Sequence, residues 1–318
     1  MRFPKSDHCD GERFFNPSGL PLQPFSKVPR LMMERQTRWP RWIEEPQRKP
    51  PALGDAEAAV TFVGHATFLI QTRIGNVLTD PMYSKRAGPF GLLGPRRVRK
   101  PGVALADLPP VTVVLLSHGH YDHLDLATLR KLAKRFAPIV VSPLGHGKLL
   151  RSTGIRRVVE LDWWEETAIG DLRATLAPAQ HFSARTPWDR NRALWGGFVL
   201  QAEGARIYFA GDTAYAGSFP EIRRRFAPFD LALLPIGAYE PRWFMRAVHM
   251  NPEESVRAHL DLGAPPSIAM HFGTFQLTPE GIDEPVRELE RALEAASVPR
   301  SRFRVLGTGE SVFLRKGA

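Results

Sequence analysis

Four potential metal ligands lie within the six residues His118-Gly119-His120-Tyr121-Asp122-His123. Only Ser117 separates this segment from an apolar run at residues 111–116, which predicts a buried β-strand. A packed core would not tolerate three imidazoles and a carboxylate at one point unless a cation compensated them. Metals such as Zn²⁺ accept nitrogen and oxygen ligands at about 2.0 to 2.2 Å. Because one ion would leave some of these ligands unused, the cluster predicts two adjacent metal ions.

Further candidate ligands follow short apolar segments later in the chain, each of which predicts a strand. They are His181, Asp212 and His271. A single histidine at a strand end more often bonds to a carbonyl than to a metal, and Gly-Asp is usually a turn. Together with the first cluster, however, the three predict one site where strand ends meet. Asp80, before Pro81, is either a turn former or a hydrogen-bond acceptor for a ligand imidazole.

The elements that must position these residues alternate between strands and helices. Predicted strands occupy residues 60–64, 67–71, 77–79, 111–116, 139–141, 172–176, 195–201, 206–210, 231–235 and 267–270. Predicted helices occupy residues 124–136, 220–226, 252–262 and 279–296. Both halves of the chain are rich in strands and then helical. The pattern therefore predicts an α/β (α+β) protein with two sheets packed face to face and helices outside.

The first part of the chain has a different character. Residues 1–57 are rich in Pro, Arg and Trp and show little periodicity, which predicts an irregular N-terminal arm packed on a domain over residues 58–318. Trp39 and Trp42 are the notable aromatic residues of this arm. Amphipathic aromatics serve cores and membrane surfaces alike, and we expect these two to dock on the core in preference to a membrane or an acyl chain.

The charge balance is basic. The 318 residues include 43 Lys and Arg against 33 Asp and Glu, a net charge of +10. Such a balance favours anionic partners such as phosphoesters, acidic membrane surfaces or nucleic acid, although solvated surface charge explains most of it. The basic segments at residues 96–100 and 223–225 lack the interleaved aromatic residues of a base-stacking groove. We therefore expect no nucleic-acid partner.

Cysteine usage and hydropathy bear on the compartment. The single cysteine, Cys9, excludes an intrachain disulfide and permits a reducing compartment. The first residues lack the apolar segment of a secretory signal, and no apolar run approaches the roughly 20 residues of a membrane span. We therefore expect a cytoplasmic protein, with a peripheral contact at the inner membrane surface as an alternative location.

The order His-x-His-x-Asp-His, followed by a His, an Asp and a last His, resembles the metallo-β-lactamase superfamily of metallohydrolases. The resemblance implies a four-layer αββα sandwich, the catalytic domain, over about residues 58–315. It also implies two sets of three ligands that share one bridge. The first metal would be held by His118, His120 and His181, the second by Asp122, His123 and His271, and Asp212 would bridge them. A bridging Asp rather than a Cys argues against the lactam-hydrolysing branch.

Four longer segments indicate a particular family within this superfamily. They are similar to the N-acylphosphatidylethanolamine-hydrolysing phospholipase D family, and they lie at residues 187–197, 211–215, 235–245 and 252–254. The closer resemblance implies a lipid phosphodiester as substrate and a homodimer as the assembly.

Three residues outside the ligand set also match positions of that family. His249 would contact the substrate phosphate or donate a proton to the leaving oxygen, and Tyr121 and Glu240 would line the substrate cavity. Spacing alone leaves other interpretations open. His249 could be a helix-entry residue, Tyr121 could pack in the core, and Glu240 could pair with Arg242.

The implied reaction cleaves N-acylphosphatidylethanolamine to N-acylethanolamine and phosphatidate. Two divalent metal ions, Zn²⁺ in preference to Mn²⁺, would polarise a phosphoryl oxygen and hold a hydroxide as the nucleophile. Asp122 would orient that nucleophile as well as bind metal.

Other functions fit the same ligands. A phosphoester and a lactone both place negative charge on an oxygen beside the cations in the transition state, so the ligands do not distinguish them. A lactonase or phosphodiesterase acting on a small soluble anion is therefore the alternative enzyme, and a nuclease is a weaker one. Outside enzymes, the alternative is a binding module that keeps metals for stability. Structural zinc sites are usually mononuclear and Cys-rich, which argues against this last class.

Overall fold

Two seven-stranded β-sheets form the centre of the computed structural model, which describes residues 2–17, 20–202 and 204–315. The strands of the first sheet are β1 (Ala58–Gly64), β2 (Thr67–Thr72), β3 (Gly75–Thr79), β4 (Val113–Leu115), β5 (Ile139–Pro143), β6 (Arg157–Leu161) and, from the far end of the chain, β14 (Ser311–Leu314). They lie side by side in the order β14-β1-β2-β3-β4-β5-β6. Strands β3 to β6 are parallel, whereas β14, β1, β2 and β3 pair antiparallel.

The second sheet mirrors this mixed pattern. Its strands are β7 (Glu166–Ile169), β8 (Leu172–Ala177), β9 (Gly197–Ala202), β10 (Ala205–Phe209), β11 (Leu231–Pro235), β12 (Ser267–Met270) and β13 (Phe303–Arg304). They follow the order β13-β12-β11-β10-β9-β8-β7. Strands β10 to β13 are parallel, and β7 to β10 form antiparallel hairpins.

Seven α-helices lie within the described residues. They are α1 (Val28–Met32), α2 (Leu126–Phe136), α3 (Gly147–Arg151), α4 (Ser218–Phe226), α5 (Arg242–Met245), α6 (Pro252–Asp261) and α7 (Glu284–Ala295). Side-chain caps define the start of two of them, because Asp125 accepts hydrogen bonds from the first turn of α2 and Asn251 forms a capping box with Glu254 in α6. In the described part of the chain, no helix combines the length and the apolar character that a membrane crossing needs.

The alternation of side chains along the strands explains the layers. Val113 and Leu115 of β4 belong to the apolar cluster that both sheets share. Val114, which points to the opposite face, belongs to a second cluster together with Leu129 and Leu132 of α2. The first sheet is therefore buried on both faces, by the second sheet and by α2.

The predicted αββα sandwich is confirmed, and all ten predicted strands are present. Strands β6, β7, β13 and β14 were not predicted. The last predicted helix was wrong at its start, since α7 begins at Glu284 rather than at residue 279. In the preceding segment, the buried carboxylate of Glu280 accepts hydrogen bonds from the backbone N–H groups of Tyr239 and Glu240, which ties that segment to the core instead of to a helix.

Before β1, the described residues form only a 3-10 turn at Phe25–Lys27 and the single-turn helix α1, besides isolated bridges. The indole N–H of Trp39 donates to the carbonyl of Glu280, 2.8 Å away, so this side chain docks on the core. Trp42 is 40% exposed, and its indole N–H bonds to Glu44 within the same segment.

Candidate metal centre

Strand ends from both sheets meet at one edge of the sandwich. In the first sheet, Asp80 follows β3 and the segment 118–123 follows the parallel strand β4. In the second sheet, His181 follows β8, Asp212 follows β10 and His271 directly follows β12. Because these strands run in the same direction within their sheets, their carboxyl ends deliver the side chains to one place.

Close contact between the two sheets fixes this meeting point. A Cβ atom at Gly211, whose φ is +60°, would lie 2.7 Å from the Cβ of Ser117, so only glycine fits there. The backbone N–H of Gly196 donates to the carbonyl of Ser117, 3.0 Å away. Asp212 and His118 directly follow the two residues in contact, and this approach therefore sets their separation.

Two groups of four side chains each bring their ligand atoms to within 4.8 Å of one another, and two smaller groups, Asp80-His118-His123 and Asp212-His249-His271, overlap them. One group consists of His118, His120, His181 and Asp212, and the other of His65, Asp122, His123 and His271. In the first group, Nε2 of His118 lies 2.8 Å from Nδ1 of His120, which lies 3.2 Å from Nε2 of His181. The structure thus brings together all seven ligands named from the sequence and adds an eighth residue.

The carboxylate of Asp212 lies between the two groups. Its Oδ2 atom is 3.1 Å from Nε2 of His123 and 3.1 Å from Nε2 of His271. The same oxygen is 3.8 Å from Nε2 of His118 and 3.9 Å from Nε2 of His181. One buried oxygen therefore faces imidazoles of both groups.

Hydrogen bonds on the outer side of the rings orient them. The carboxylate of Asp80 accepts from Nδ1 of His123 at 2.6 Å, and the carbonyl of Val248 accepts from Nδ1 of His181 at 2.8 Å. The hydroxyl of Ser117 donates to Asp80 and can accept from Nδ1 of His118, 2.9 Å away. These bonds turn the Nε2 lone pairs toward the centre. Of the two interpretations of Asp80, the structure shows the hydrogen-bond acceptor.

Burial and the neighbouring charges shift the ionisation of the cluster. Burial alone would raise the pKa of Asp212, but the imidazoles of His123 and His271 outweigh it and hold that pKa well below its usual range. Burial and the neighbouring His181 lower the pKa of His120 to about 3. For His271, the carboxylates of Asp212 and Asp122 overcome burial and raise the pKa to about 9. The buried carboxylate of Asp212 therefore holds the His271 ring in its protonated form, whereas the ring of His120 is neutral and offers a lone pair.

Several of these atoms have no hydrogen-bond partner within the described part of the chain. They are Nε2 of His123, both ring nitrogens of His271 and Oδ1 of Asp212. A buried polar atom without a partner costs about 1 to 3 kcal/mol, so a cluster of them at one point calls for a ligand. Nitrogen and carboxylate donors in this arrangement fit divalent transition-metal cations.

The residue that the sequence interpretation missed is His65, in the tight turn between β1 and β2. Its Nε2 atom lies 2.9 Å from Oδ2 of Asp122, and its carbonyl accepts from the backbone N–H of His271 at 2.9 Å. Its ring centroid is 4.1 Å from that of His271. The signal that could have found it is the two-residue turn of His65 and Ala66 directly after Gly64, where His65 has a φ of +60°.

His249 lies at the rim of the cluster, between α5 and α6. Its Nε2 atom is 3.9 Å from Oδ2 of Asp212, and its ring centroid is 5.1 Å from that of His181. The side chain is buried, and within the described residues its Nδ1 atom has no hydrogen-bond partner. The ligand atoms of His249, Asp212 and His271 lie within 4.8 Å of one another, so this ring can reach a group bound at the centre.

Tyr121 and Glu240 are placed differently. Tyr121 borders a cavity of about 210 Å³ next to the cluster, where its hydroxyl donates to the carbonyl of Arg185 at 2.9 Å. Glu240 is in neither ligand group. Its carboxylate accepts from the backbone N–H of Arg242 and lines a separate cavity. Glu240 thus bonds to Arg242 through the backbone N–H, at 2.9 Å, whereas the guanidinium of Arg242 pairs with Glu254 at 2.6 Å.

An apolar cavity of about 190 Å³ adjoins the cluster on the side of the arm. Its walls include Leu22, Val28 and Leu31 of the arm and Phe182, Phe244 and Val248 of the core. The ring centroid of Phe182 lies 4.5 Å from that of His120, and Val248 holds His181 through its carbonyl. The arm and the core therefore enclose an apolar space beside the metal ligands.

Comparisons with known proteins agree with this geometry. Residues 75–272 match the family described as a beta-lactamase superfamily domain. An uncharacterized protein of Mycobacterium tuberculosis is 45% identical over 267 residues, which cover 80% of this chain and 71% of that relative. The N-acyl-phosphatidylethanolamine-hydrolyzing phospholipase D 1 of Caenorhabditis elegans is 38% identical over 247 residues, which cover 74% of this chain and 69% of that protein.

The fold also matches solved structures. A possible metal-dependent hydrolase from Veillonella parvula has a TM-score of 0.66 and 18% sequence identity over 81% of this chain and 100% of that chain. At this identity, the match speaks for the fold alone, while the family match and the relatives speak for the chemistry. The chain therefore belongs to the beta-lactamase superfamily and is a metal-dependent hydrolase of the metallo-β-lactamase fold.

Proposed function

We propose that this hydrolase is a phosphodiesterase that cleaves N-acylphosphatidylethanolamine-type phospholipids to N-acylethanolamine and phosphatidate. The observation that carries the proposal is the apolar cavity of about 190 Å³ beside His120 and His181. An apolar wall so close to the metal ligands fits an acyl chain of a lipid better than a small soluble anion. The C. elegans relative, whose name states this activity, supports the same substrate class.

The two groups of ligands would hold two divalent ions, and we propose Zn²⁺ in preference to Mn²⁺ because imidazole nitrogens dominate the donor set. One ion would take His118, His120 and His181, the other Asp122, His123 and His271, and Asp212 would serve both. When bound, such ions supply Lewis acidity toward a phosphoryl oxygen and an activated water as nucleophile.

The chain's own residues would orient the reacting groups. Asp122 is held through its Oδ2 atom by His65, which leaves its carboxylate fixed at the centre. His249 stands at the rim with an unpartnered Nδ1 atom. Because burial lowers the pKa of His249 well below its ordinary value, we expect a neutral ring that donates one hydrogen bond to the phosphate or to the leaving oxygen.

A substrate panel tests the proposal. Protein loaded with Zn²⁺ or Mn²⁺ is offered N-acylphosphatidylethanolamine in mixed micelles, bis(p-nitrophenyl) phosphate and a panel of lactones, and products are identified by mass spectrometry. We expect N-acylethanolamine and phosphatidate, with a kcat/KM well above that for the soluble diester. Turnover of soluble diesters or lactones without any lipid hydrolysis would instead favour the small-anion enzyme.

A cavity-filling substitution tests the role of the apolar space. Val28→Trp places a large ring in the wall that the arm contributes, away from the ligands. We expect a loss of about tenfold or more in kcat/KM for a long-chain substrate, because the ring displaces several methylene groups from the cavity. An analogue with an N-acetyl group should be hydrolysed by the variant and the parent at equal rates. Equal rates for the long-chain substrate would remove the cavity from substrate binding.

A further inference from the structure

Four large apolar side chains near the metal centre are exposed to solvent. Phe90, Leu92 and Leu93 are 92%, 74% and 62% exposed on the loop between β3 and β4, and Trp188 is 78% exposed on the loop between β8 and β9. Single exposed apolar residues are ordinary, but a set of them around one opening marks an interaction surface. We call these four residues the loop face.

The first loop is held rigidly with its tip pointing outward. Arg86 and Arg96 pair across its base, where the N–H of Ala87 donates to the carbonyl of Pro95 at 3.0 Å. The guanidinium of Arg86 donates to the carbonyl of Gly94 at 2.8 Å. These bonds keep the tip from folding back onto the protein, so the exposure of its apolar residues is part of the fold.

The second loop is anchored as well. The carboxylate of Asp189 accepts from the backbone N–H groups of Arg185 and Thr186, at 2.9 and 2.8 Å, which closes a turn around Trp188. Arg185 and Phe90 border the same cavity as Tyr121, the residue between two of the metal ligands. The two loops therefore border one cavity beside Tyr121, in the segment that carries four of the metal ligands.

Cations accompany the apolar tips. Lys85, Arg86 and Arg96 stand at the base of the first loop, and Arg192 follows the second. Within the described ranges, no carboxylate lies within 4.0 Å of any of these four side chains. Cations at the bases of exposed apolar tips are complementary to a surface with an apolar interior and anionic headgroups.

We propose that the loop face docks on an anionic phospholipid bilayer, with the apolar side chains in the headgroup and acyl boundary and the cations on lipid phosphates. This inference rests on the proposed lipid substrate and adds how the enzyme reaches it. A second copy of the chain is a poorer occupant, because a twofold contact would bring the same cations together. In addition, four side chains on two tips supply only part of the about 800 Å² that each partner of a stable dimer buries.

Vesicle partitioning tests the docking surface. The full-length protein is sedimented with vesicles of phosphatidylcholine alone or of equal parts phosphatidylcholine and phosphatidylglycerol. We expect binding to the anionic vesicles and at least a tenfold weaker partition for L92S/L93S/W188S. K85E/R96E should lose the preference for phosphatidylglycerol. As a matched control, Trp42→Ser removes an exposed indole from the arm and should leave partitioning unchanged.

Two further readouts separate the possible failures. The triple variant should hydrolyse a soluble diester at the parent's rate, which shows that it is folded. If the parent protein does not bind anionic vesicles, or if the triple variant binds them as the parent does, the docking surface is wrong. If light scattering shows a dimer that the triple variant dissociates, the loop face is instead a contact between copies. Vesicle binding without hydrolysis of the lipid would leave the docking intact and overturn the proposed substrate.

Discussion

Residues 2–17 and 20–57 are held to the protein by contacts of a different kind from those that hold the two sheets together. Ladders of backbone hydrogen bonds hold the strands within each sheet, and one shared apolar cluster joins the two sheets. In the described ranges the arm adds no strand to either sheet. It is tied down by Cys9 and Phe14, which are buried in the same apolar cluster, and by polar side chains that bond across long sequence distances. Examples are His8 to Asp162 at 2.7 Å, Asn16 to the carbonyl of His181 at 2.9 Å and Trp39 to the carbonyl of Glu280 at 2.8 Å.

The two regions therefore have different roles: the sheets position the metal ligands, and the arm lines the space beside them. The metal ligands stand at the ends of strands, and their positions are set by the packing of two sheets. The arm supplies one wall of the apolar cavity, and Asn16 contacts the backbone of a ligand. Changes in the sheets should therefore abolish function, whereas changes in the arm should alter stability and substrate preference.

The largest effect is expected from His118→Ala. Removing this imidazole ligand should lower the metal content and reduce kcat by about 10³-fold or more. His259→Ala is the matched control, because His259 of α6 is equally buried but bonds to Ser267 of β12, outside the cluster. Metal analysis and kinetics check both variants. A His118→Ala protein with full metal content and full activity would contradict the assignment.

A smaller effect is expected from Asp80→Asn, which changes an orienting residue and leaves every ligand in place. Asp80 holds His123 at 2.6 Å and accepts from the N–H of Ser117 at 2.7 Å. Loss of such an outer hydrogen bond typically costs 10- to 100-fold in metal affinity, which a chelator titration measures. Unchanged affinity would show that the sheet alone orients the ring of His123.

In the arm, Asn16→Ala should lower the free energy of unfolding by about 1 kcal/mol, because a partly buried side-chain hydrogen bond to the core is lost. Gln47→Ala is the control, since Gln47 makes an exposed hydrogen bond to Pro101 at 3.0 Å and should cost almost nothing. Urea denaturation compares the two. If both variants lose the same free energy of unfolding, the hydrogen bond from Asn16 to the carbonyl of His181 does not stabilise the arm more than an exposed one does.

The smallest effect is a pH dependence at His8. Burial by itself would lower the pKa of His8, but hydrogen bonds to Asp162 and Asp7 outweigh it and raise the pKa above the ordinary 6.5. A raised pKa means that the stabilisation is complete below about pH 6.5 and is lost as the pH rises through the value in the folded protein. The protection of the amides at residues 3–14 against hydrogen exchange, measured relative to the intrinsic base-catalysed rate at each pH, should therefore fall at alkaline pH. His8→Ala should show no such change over the same interval.

Many of the core strands could be predicted because a buried strand has a short run of apolar residues. β4 and β11 are buried at every position, and each was found. β7, β13 and β14 lie at or near sheet edges, and their mixed polarity gives no run to detect. β6 is likewise only partly buried. The arm offers no periodicity at all, so its contacts depend on partners that lie far away in the sequence.

The metal ligands could be named for a similar reason, since each follows a strand that periodicity reveals. Their distances could not be predicted, because the approach of Gly211 to Ser117 sets them. His65 was missed because it lies in a turn, and its partner Asp122 is 57 residues away. Glu240 was assigned to the substrate cavity by resemblance, and the structure places its carboxylate at the start of α5 instead.

The pairing of β14 with β1, from Ala58 with Leu314 to Thr61 with Ser311, has a consequence for how the protein is made. At ribosomal rates of about 5 to 20 residues per second, roughly 10 to 50 s separate the emergence of the two strands. During that interval β1 is an edge strand of the first sheet, and its backbone N–H and C=O groups on that side are unpaired. Such an edge is a template on which nascent chains aggregate. Chaperone dependence during synthesis should therefore map to β1, and a version permuted to join the two strands by a short hairpin should need less assistance.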